Sequence, residues 1–405
     1  MPFNLNLRKI LIIIGFALIV VGIGFGIYFT FFRAPKEEAP VVTAPTGEAP
    51  AGGLPSAGVA GIRPTTATED GAVTGLPTAK TISAATLVQS GAAGAALSSD
   101  GSSLQYYDSA TGLFYKINAD GSLSALSSKT FFQVQNVTWS AGKNKAVLEY
   151  PDGSNIIYDF STGNQTTLPK HWEDFEFSNN DTKIISKSIG DDIENRWLVI
   201  SDLTGSNTKI INALGENADK VDVSSSPNGQ VVAFSRTGDV TITAGMQEVY
   251  LIGQNNENFK SLKVKGYNFK AKWANEGDRI IYSVTDAYDD YKPSLWVTDV
   301  SGDDVGTNSI KVGINTWVDK CVILSGYKAY CAVPKNLDTG AGLQPSVADA
   351  SDDVVYFVDI KTGAASFVGE SDTDYSIAQL SVSSDESYLY FTDKENNGIH
   401  KMEIK

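Results

Sequence analysis

From Ile82 onward the chain repeats one alternation of apolar and polar stretches. A short apolar strand ends in a small or polar residue, and a turn rich in Ser, Asn, Asp and Gly follows. Then come a second apolar strand, a loop, and a third, alternating strand closed by a Gly-containing turn. The first two strands with their turn are visible in "AALSSDGSSLQYY", "VTWSAGKNKAVLEY", "FEFSNNDTKIIS", "VSSSPNGQVVAF", "AKWANEGDRIIY" and "LSVSSDESYLYF". "CVILSGYKAYCAV" occupies the corresponding place between the last two of these. Third strands include "IIYDFSTG", "WLVISDLTG", "LWVTDVSG" and "VYFVDIKTG". The anchors Ser98, Ser140, Ser178, Ser226, Ala274 and Ser383 step by 42, 38, 48 and 48 residues, then 109 across two units. Four short strands recurring at this spacing predict a β-propeller.

Seven units fit between Ile82 and Lys405. The last, Tyr375–Lys405, holds only three strands, so its ring would lack an outer one. "TISAATLVQS", Thr81–Ser90, reads as a strand and is expected to complete the last blade, closing the ring and removing exposed strand edges. The predicted fold is therefore all-β: a seven-bladed propeller of four-stranded antiparallel blades over 81–405.

What precedes it has a different pattern. Ile10–Phe32 is 23 residues without a charge, long enough to span a bilayer core as a helix. A secretory signal's apolar region is shorter and ends at a small-residue site, whereas this run ends in "YFTFF". It is read as an uncleaved transmembrane helix. Arg8, Lys9 and the α-amine precede it, which places the 1–9 tail on the cytoplasmic side and the propeller outside. Residues 33–80 carry seven of the 14 prolines, with much Ala, Gly and Thr and no aromatic residue. Such a stretch cannot bury enough apolar surface to offset its ordering entropy and is expected to be a disordered linker.

The repeat residues, "SSPNGQVVAF" and "FSNNDTKIIS" above all, resemble the TolB-type, WD-repeat-like propeller family, whose units start with a Trp-Ser-Pro-Asp-Gly-like turn. "KCV…YCAVPK" is also similar to one blade of membrane-anchored propellers from uncultured bacterial lineages, although "ILSGYK" replaces the usual Trp-Ser-containing turn. The resemblance implies a fold more than a function, because the repeat serves many unrelated proteins. It suggests a bacterial envelope protein.

Two cysteines, Cys321 and Cys331, are the whole complement of the chain. A three-residue loop, Ser325–Tyr327, pairs Leu324 with Lys328, and counting outward sets Cys321 opposite Cys331. Opposed residues of an antiparallel pair lie within disulfide reach, and an exported domain would keep the bond. Two buried free thiols are the competing reading.

Candidate chemistry is sparse. The formal charge of −15 repels phosphate backbones and argues against nucleic acid as a partner. There is no G-x-S-x-G, H-E-x-x-H, P-loop or GxGxxG motif, and His171 and His400 are the only histidines. No cofactor is expected, with one weak exception. "DAYDDYKPS" brings Asp286, Asp289 and Asp290 together like part of a calcium loop, without EF-hand spacing.

The longest insertions all join strands two and three, in units three to six: Ile189–Glu194, Thr237–Met246, Asp286–Lys292 and Asn336–Asp353. That equivalence puts them on one face, where insertions in repeat proteins often bind. Asp191, Asp192, Glu194, Tyr288, Asp289, Asp290, Tyr291 and Asp338 are the candidate contact residues. The expected role is binding or scaffolding of an envelope protein or glycan rather than catalysis. A glycan-cleaving hydrolase using acids of this face and a structural subunit of an envelope assembly are the alternatives.

Overall fold

A computed structural model describes residues 80–241, 245–255 and 257–405. Within them the strands form seven sheets, antiparallel apart from one two-residue edge strand, arranged as consecutive blades. In the second blade, Asn136–Trp139, Lys145–Glu149, Asn155–Asp159 and Gln165–Leu168 follow one another from inside to outside. The third (Trp172–Phe177 to Lys209–Ala213) and fifth (Tyr267–Trp273 to Ile310–Lys311) repeat that order. First strands of successive blades approach one another around a common axis.

The second strands read as unbroken apolar runs because each is buried on both faces. Ala146 and Leu148 pack towards the first blade, and Val147 between them packs towards the third. Ile280 and Ile281 divide likewise between the fourth and sixth blades. The core is thus a ring of seven clusters among the described residues, each lying between two neighbouring blades. The cluster of Ala92, Tyr106, Tyr390 and Ile399 joins the last blade to the first. Each fully buried large side chain contributes about 1.5–3 kcal/mol.

The repeated serine has a structural task. Ser226 Oγ donates to Asn228 Oδ1 (2.7 Å) and accepts from Val231 N–H (2.9 Å), locking the turn between strands one and two. Ser383 does the same with Asp385 and Tyr388. Asp100 and Asp385 are held near a pKa of about 2, chiefly by hydroxyl donors from Ser98 and Ser383. Tryptophan just before the anchor ties neighbouring blades: Trp139 Nε1–H donates to Gly94 O (2.6 Å) and Trp273 Nε1–H to Ser224 Oγ (3.1 Å). Gly94 must be glycine, since a Cβ there would lie 2.6 Å from Val137 Cβ and φ is +57°.

The closing strand is present, with an addition. Ala84–Val88 pairs antiparallel with Ile399–Glu403 as the outer strand of the seventh blade. Thr81–Ile82 departs from the expected pairing and runs parallel to the end of Ala365–Ser371, as a fifth strand of the sixth blade. Asp372 fixes the crossing by accepting from Ser83 Oγ–H (2.8 Å) and Ala84 N–H (3.0 Å).

Cys321 and Cys331 are directly opposed and bonded, with Cα atoms 4.0 Å apart, and both are buried. Closing so short a loop stabilises by about 2–3 kcal/mol. Cys321→Ser is therefore expected to lower the unfolding free energy by that amount and leave a folded domain. Mass spectrometry of the wild-type protein without reductant should show it two hydrogens lighter than its reduced form. Two alkylatable thiols in the native protein would contradict the bond.

Among the described residues no helix is long and apolar enough to cross a membrane. The Ile10–Phe32 run and the linker up to residue 79 lie outside them.

Candidate functional site

The loops between strands two and three share the side of the ring on which each outer strand passes to the next blade. In the fifth blade, Asp286 caps a short 3-10 turn, Ala287–Asp289: its Oδ1 accepts from Tyr288 N–H (2.7 Å) and Asp289 N–H (3.1 Å). That cap turns Tyr288 outward, where it is 81% exposed with Lys265 Nζ 4.3 Å from its ring centroid.

The long loop of the sixth blade lies against this turn. Gly340 N–H donates to Asp290 O and Gly342 N–H to Tyr291 O, both at 2.8 Å. Gly342 is required by close approach, because a Cβ there would meet Thr285 Oγ1 at 2.3 Å. Pro345–Ala350 forms a 3-10 turn, and Asp349 pairs with Lys394 of the seventh blade. The loop therefore bridges the fifth to the seventh blade. Tyr288 and Tyr291 of the fifth-blade turn and Leu343 and Val347 of the sixth-blade loop are exposed large side chains, and Asp290 and Asp338 of the same two loops are exposed acids.

In the third blade the loop turns through Ile193–Asn195, with Asp191, Asp192 and Glu194 exposed and Leu214 N–H donating to Arg196 O. In the fourth blade part of the expected loop is instead a strand. Val240–Thr241 folds back on Gln247 and Met246, while 242–244 lie outside the described residues.

The face is less acidic than its sequence. Asp286 is buried by its cap, Asp289 pairs with Lys311, Asp349 with Lys394, and Asp353 with Lys320. Of the three acids expected to group for calcium, Asp286 caps the turn, Asp289 pairs with Lys311, and Asp290 is exposed. Among the described residues no group of three or more His, Cys, Asp or Glu side chains is placed to hold a metal ion.

His400 is buried between the rings of Tyr375 and Phe391, with Nδ1 3.2 Å from Thr86 Oγ1. Burial keeps its pKa below the usual histidine value. His171 is exposed at the start of the third blade.

A second feature escaped the sequence analysis. The axis holds a cavity of about 780 Å³ lined by the first strands of the second to sixth blades. Residues two and four positions before each anchor face it: Asn136 and Thr138, Asp174 and Glu176, Asp222 and Ser224, Lys270 and Lys272. Three of its charged residues, Asp174, Asp222 and Lys270, form ion pairs. Lys187 Nζ lies 2.6 Å from Asp174 and Arg236 Nε 3.3 Å from Asp222, which also pairs with Lys270. Lys272 Nζ donates to Cys321 O (2.7 Å) and Asp319 O (3.1 Å). The signal was a polar residue at every second first-strand position, a pattern that a half-buried strand also shows.

No protein-family model matches the chain, and no curated protein matches it. Among solved structures, the β-propeller domain of Cps50 (Swd1) from Myceliophteria thermophila aligns with a TM-score of 0.53 and 10% identity. The match covers 79% of this chain and 98% of that one. An oligogalacturonate lyase in complex with manganese aligns with a TM-score of 0.51 and 12% identity, over 76% of this chain and 88% of the lyase. At such identities the likeness is one of fold, a β-propeller.

Proposed function

We propose that this chain is a binding and scaffold module of a bacterial cell envelope, built on a TolB-like propeller. In this reading Ile10–Phe32 anchors it in the membrane, residues 33–80 act as a tether, and the propeller is held outside. It binds rather than catalyses. The partner is an envelope protein or glycan that meets the joined loops of the fifth and sixth blades.

The observation that carries the reading is the fusion of those loops. Backbone hydrogen bonds at Gly340 and Gly342 fix them, so Tyr288, Tyr291, Leu343 and Val347 are displayed on a preorganised support. Preorganised display reduces the ordering cost of association, and tyrosine is a frequent anchor at interfaces. Asp290 and Asp338 beside them favour a partner with positive charge and a complex that weakens as salt rises.

The test uses the full chain. Capture of envelope components by Tyr288→Ala/Tyr291→Ala is expected to fall about tenfold or more, as for loss of two anchor residues. Ser161→Ala, on the opposite face, should leave capture unchanged. Equal capture by the double tyrosine variant and the wild type would overturn the assignment.

A further inference from the structure

The axial cavity contains two half-buried charged groups, Lys143 and Glu176, with neither an ion pair nor a side-chain hydrogen-bond partner among the described residues; Lys272 is held by backbone carbonyls and Asp319 is exposed. Lys143, in the turn after the first strand of the second blade, has φ of +57°. Its ammonium has no ion-pair or hydrogen-bond partner among the described residues. Glu176, across the cavity wall on the third blade, likewise forms no ion pair among the described residues, and the nearby Ser225 backbone N–H only partly offsets its burial. Asp181, the other acid near Lys143, is committed to the turn: its carboxylate accepts from Ala141 N–H and Gly142 N–H at 2.7 Å each.

Withdrawing a charge from water without a partner costs several kcal/mol. Burial accordingly lowers the Lys143 pKa and raises that of Glu176 to about 7. The two groups act on each other electrostatically across the gap without pairing. A gap flanked by an unpaired ammonium and an unpaired carboxyl complements a molecule bearing both opposite charges. The volume, about 780 Å³, lies within the range of small-molecule sites. Asn136, Thr138, Ser224 and Asn275 line the same space and offer side-chain hydrogen bonds.

We propose that the axial channel is a binding site for small zwitterions of the amino-acid and dipeptide class, with Lys143 receiving the ligand carboxylate and Glu176 its ammonium. This site is separate from the joined loops and stands whether or not those bind a partner.

Calorimetric titration of the full chain with Ala-Ala tests it, alongside N-acetyl-Ala-Ala and Ala-Ala-amide, each of which keeps one charged end. Free Ala-Ala is expected to bind, and each blocked form to lose about tenfold or more in affinity, the worth of one charge-assisted contact. Lys143→Met should remove the penalty for amidation, and Glu176→Gln the penalty for acetylation. Affinity for Ala-Ala should rise with pH through about 7 as Glu176 ionises, and Glu176→Gln should abolish that rise. Asp174, Asp222, Lys270 and Lys272 also face the channel, but their contacts are already made. Absence of binding at millimolar Ala-Ala, or equal affinity for the free and blocked dipeptides, would overturn the proposal. Melting curves of both variants confirm that a lost signal reflects the site rather than the fold.

Discussion

Removing Thr81–Val88 is expected to unfold most of the propeller at physiological temperature. The segment holds two blades at once: Thr81–Ile82 edges the sixth and Ala84–Val88 completes the seventh. Its loss strips the backbone partners of Ile399–Glu403. It also empties the place of Ile82, which packs with Tyr330, Val355 and Leu380. Several hydrogen bonds at about 1 kcal/mol each and one or two buried apolar side chains amount to a loss on the order of 5 kcal/mol or more. That approaches the whole stability of many domains. Thermal unfolding followed by circular dichroism decides the matter. A midpoint within about 3 °C of the intact protein would show that the ring does not depend on its closing strand.

The second large effect is expected at Lys320. Its ammonium lies 2.8 and 2.7 Å from the two carboxylate oxygens of Asp353, whose side chain is wholly buried and whose Oδ2 also accepts from Ile377 N–H (2.6 Å). The pair lies within the sixth blade, and the Ile377 N–H bond ties it to the seventh. Lys320→Met leaves a buried carboxylate with no counter-ion and should cost about 3–5 kcal/mol. Adding Asp353→Asn should recover part of it, because a neutral amide needs no cation.

The pH dependence has a definite sign. Burial holds the Asp353 pKa above the usual aspartate value even with Lys320 present, and removing the cation raises it further. An acid with a raised folded-state pKa favours folding below its unfolded pKa and loses that contribution as pH rises. The penalty of Lys320→Met should therefore be smaller in acid than at neutral pH. A penalty equal at both would contradict the assignment of the lost energy to a stranded charge.

The repeat was legible because each unit carries its own turn chemistry. In the first, third, fourth and seventh units an anchor serine, an Asn or Asp two residues on, and an apolar run are all local. The closing strand could be inferred for a related reason, since the seventh unit lacked its fourth strand. The hairpin register of Cys321 and Cys331 was legible from loop length alone. By contrast, the parallel pairing of Thr81–Ile82 with the sixth blade involves two residues and a partner nearly 290 positions away, with no local mark.

The same distinction governs the sites. Counting acids along the loops overstated the charge of the face, because Lys311, Lys320 and Lys394 arrive from elsewhere in the chain. The expected calcium grouping meets a local competitor. Asp286 is consumed by capping two backbone N–H groups, as aspartate often is at the start of a helical turn. The channel charges were visible as an alternation before each anchor, but only the ring shows that Lys143 and Glu176 share one cavity.

Partners are expected to meet the joined loops of the fifth and sixth blades. Residue-resolved cross-linking of the full chain in its native cells tests this most directly. Cross-links are expected to concentrate at Asp286–Lys292 and in the 336–352 loop. Cross-links concentrated instead on the opposite face, around Gly163, Gly205 and Gly363, would contradict it.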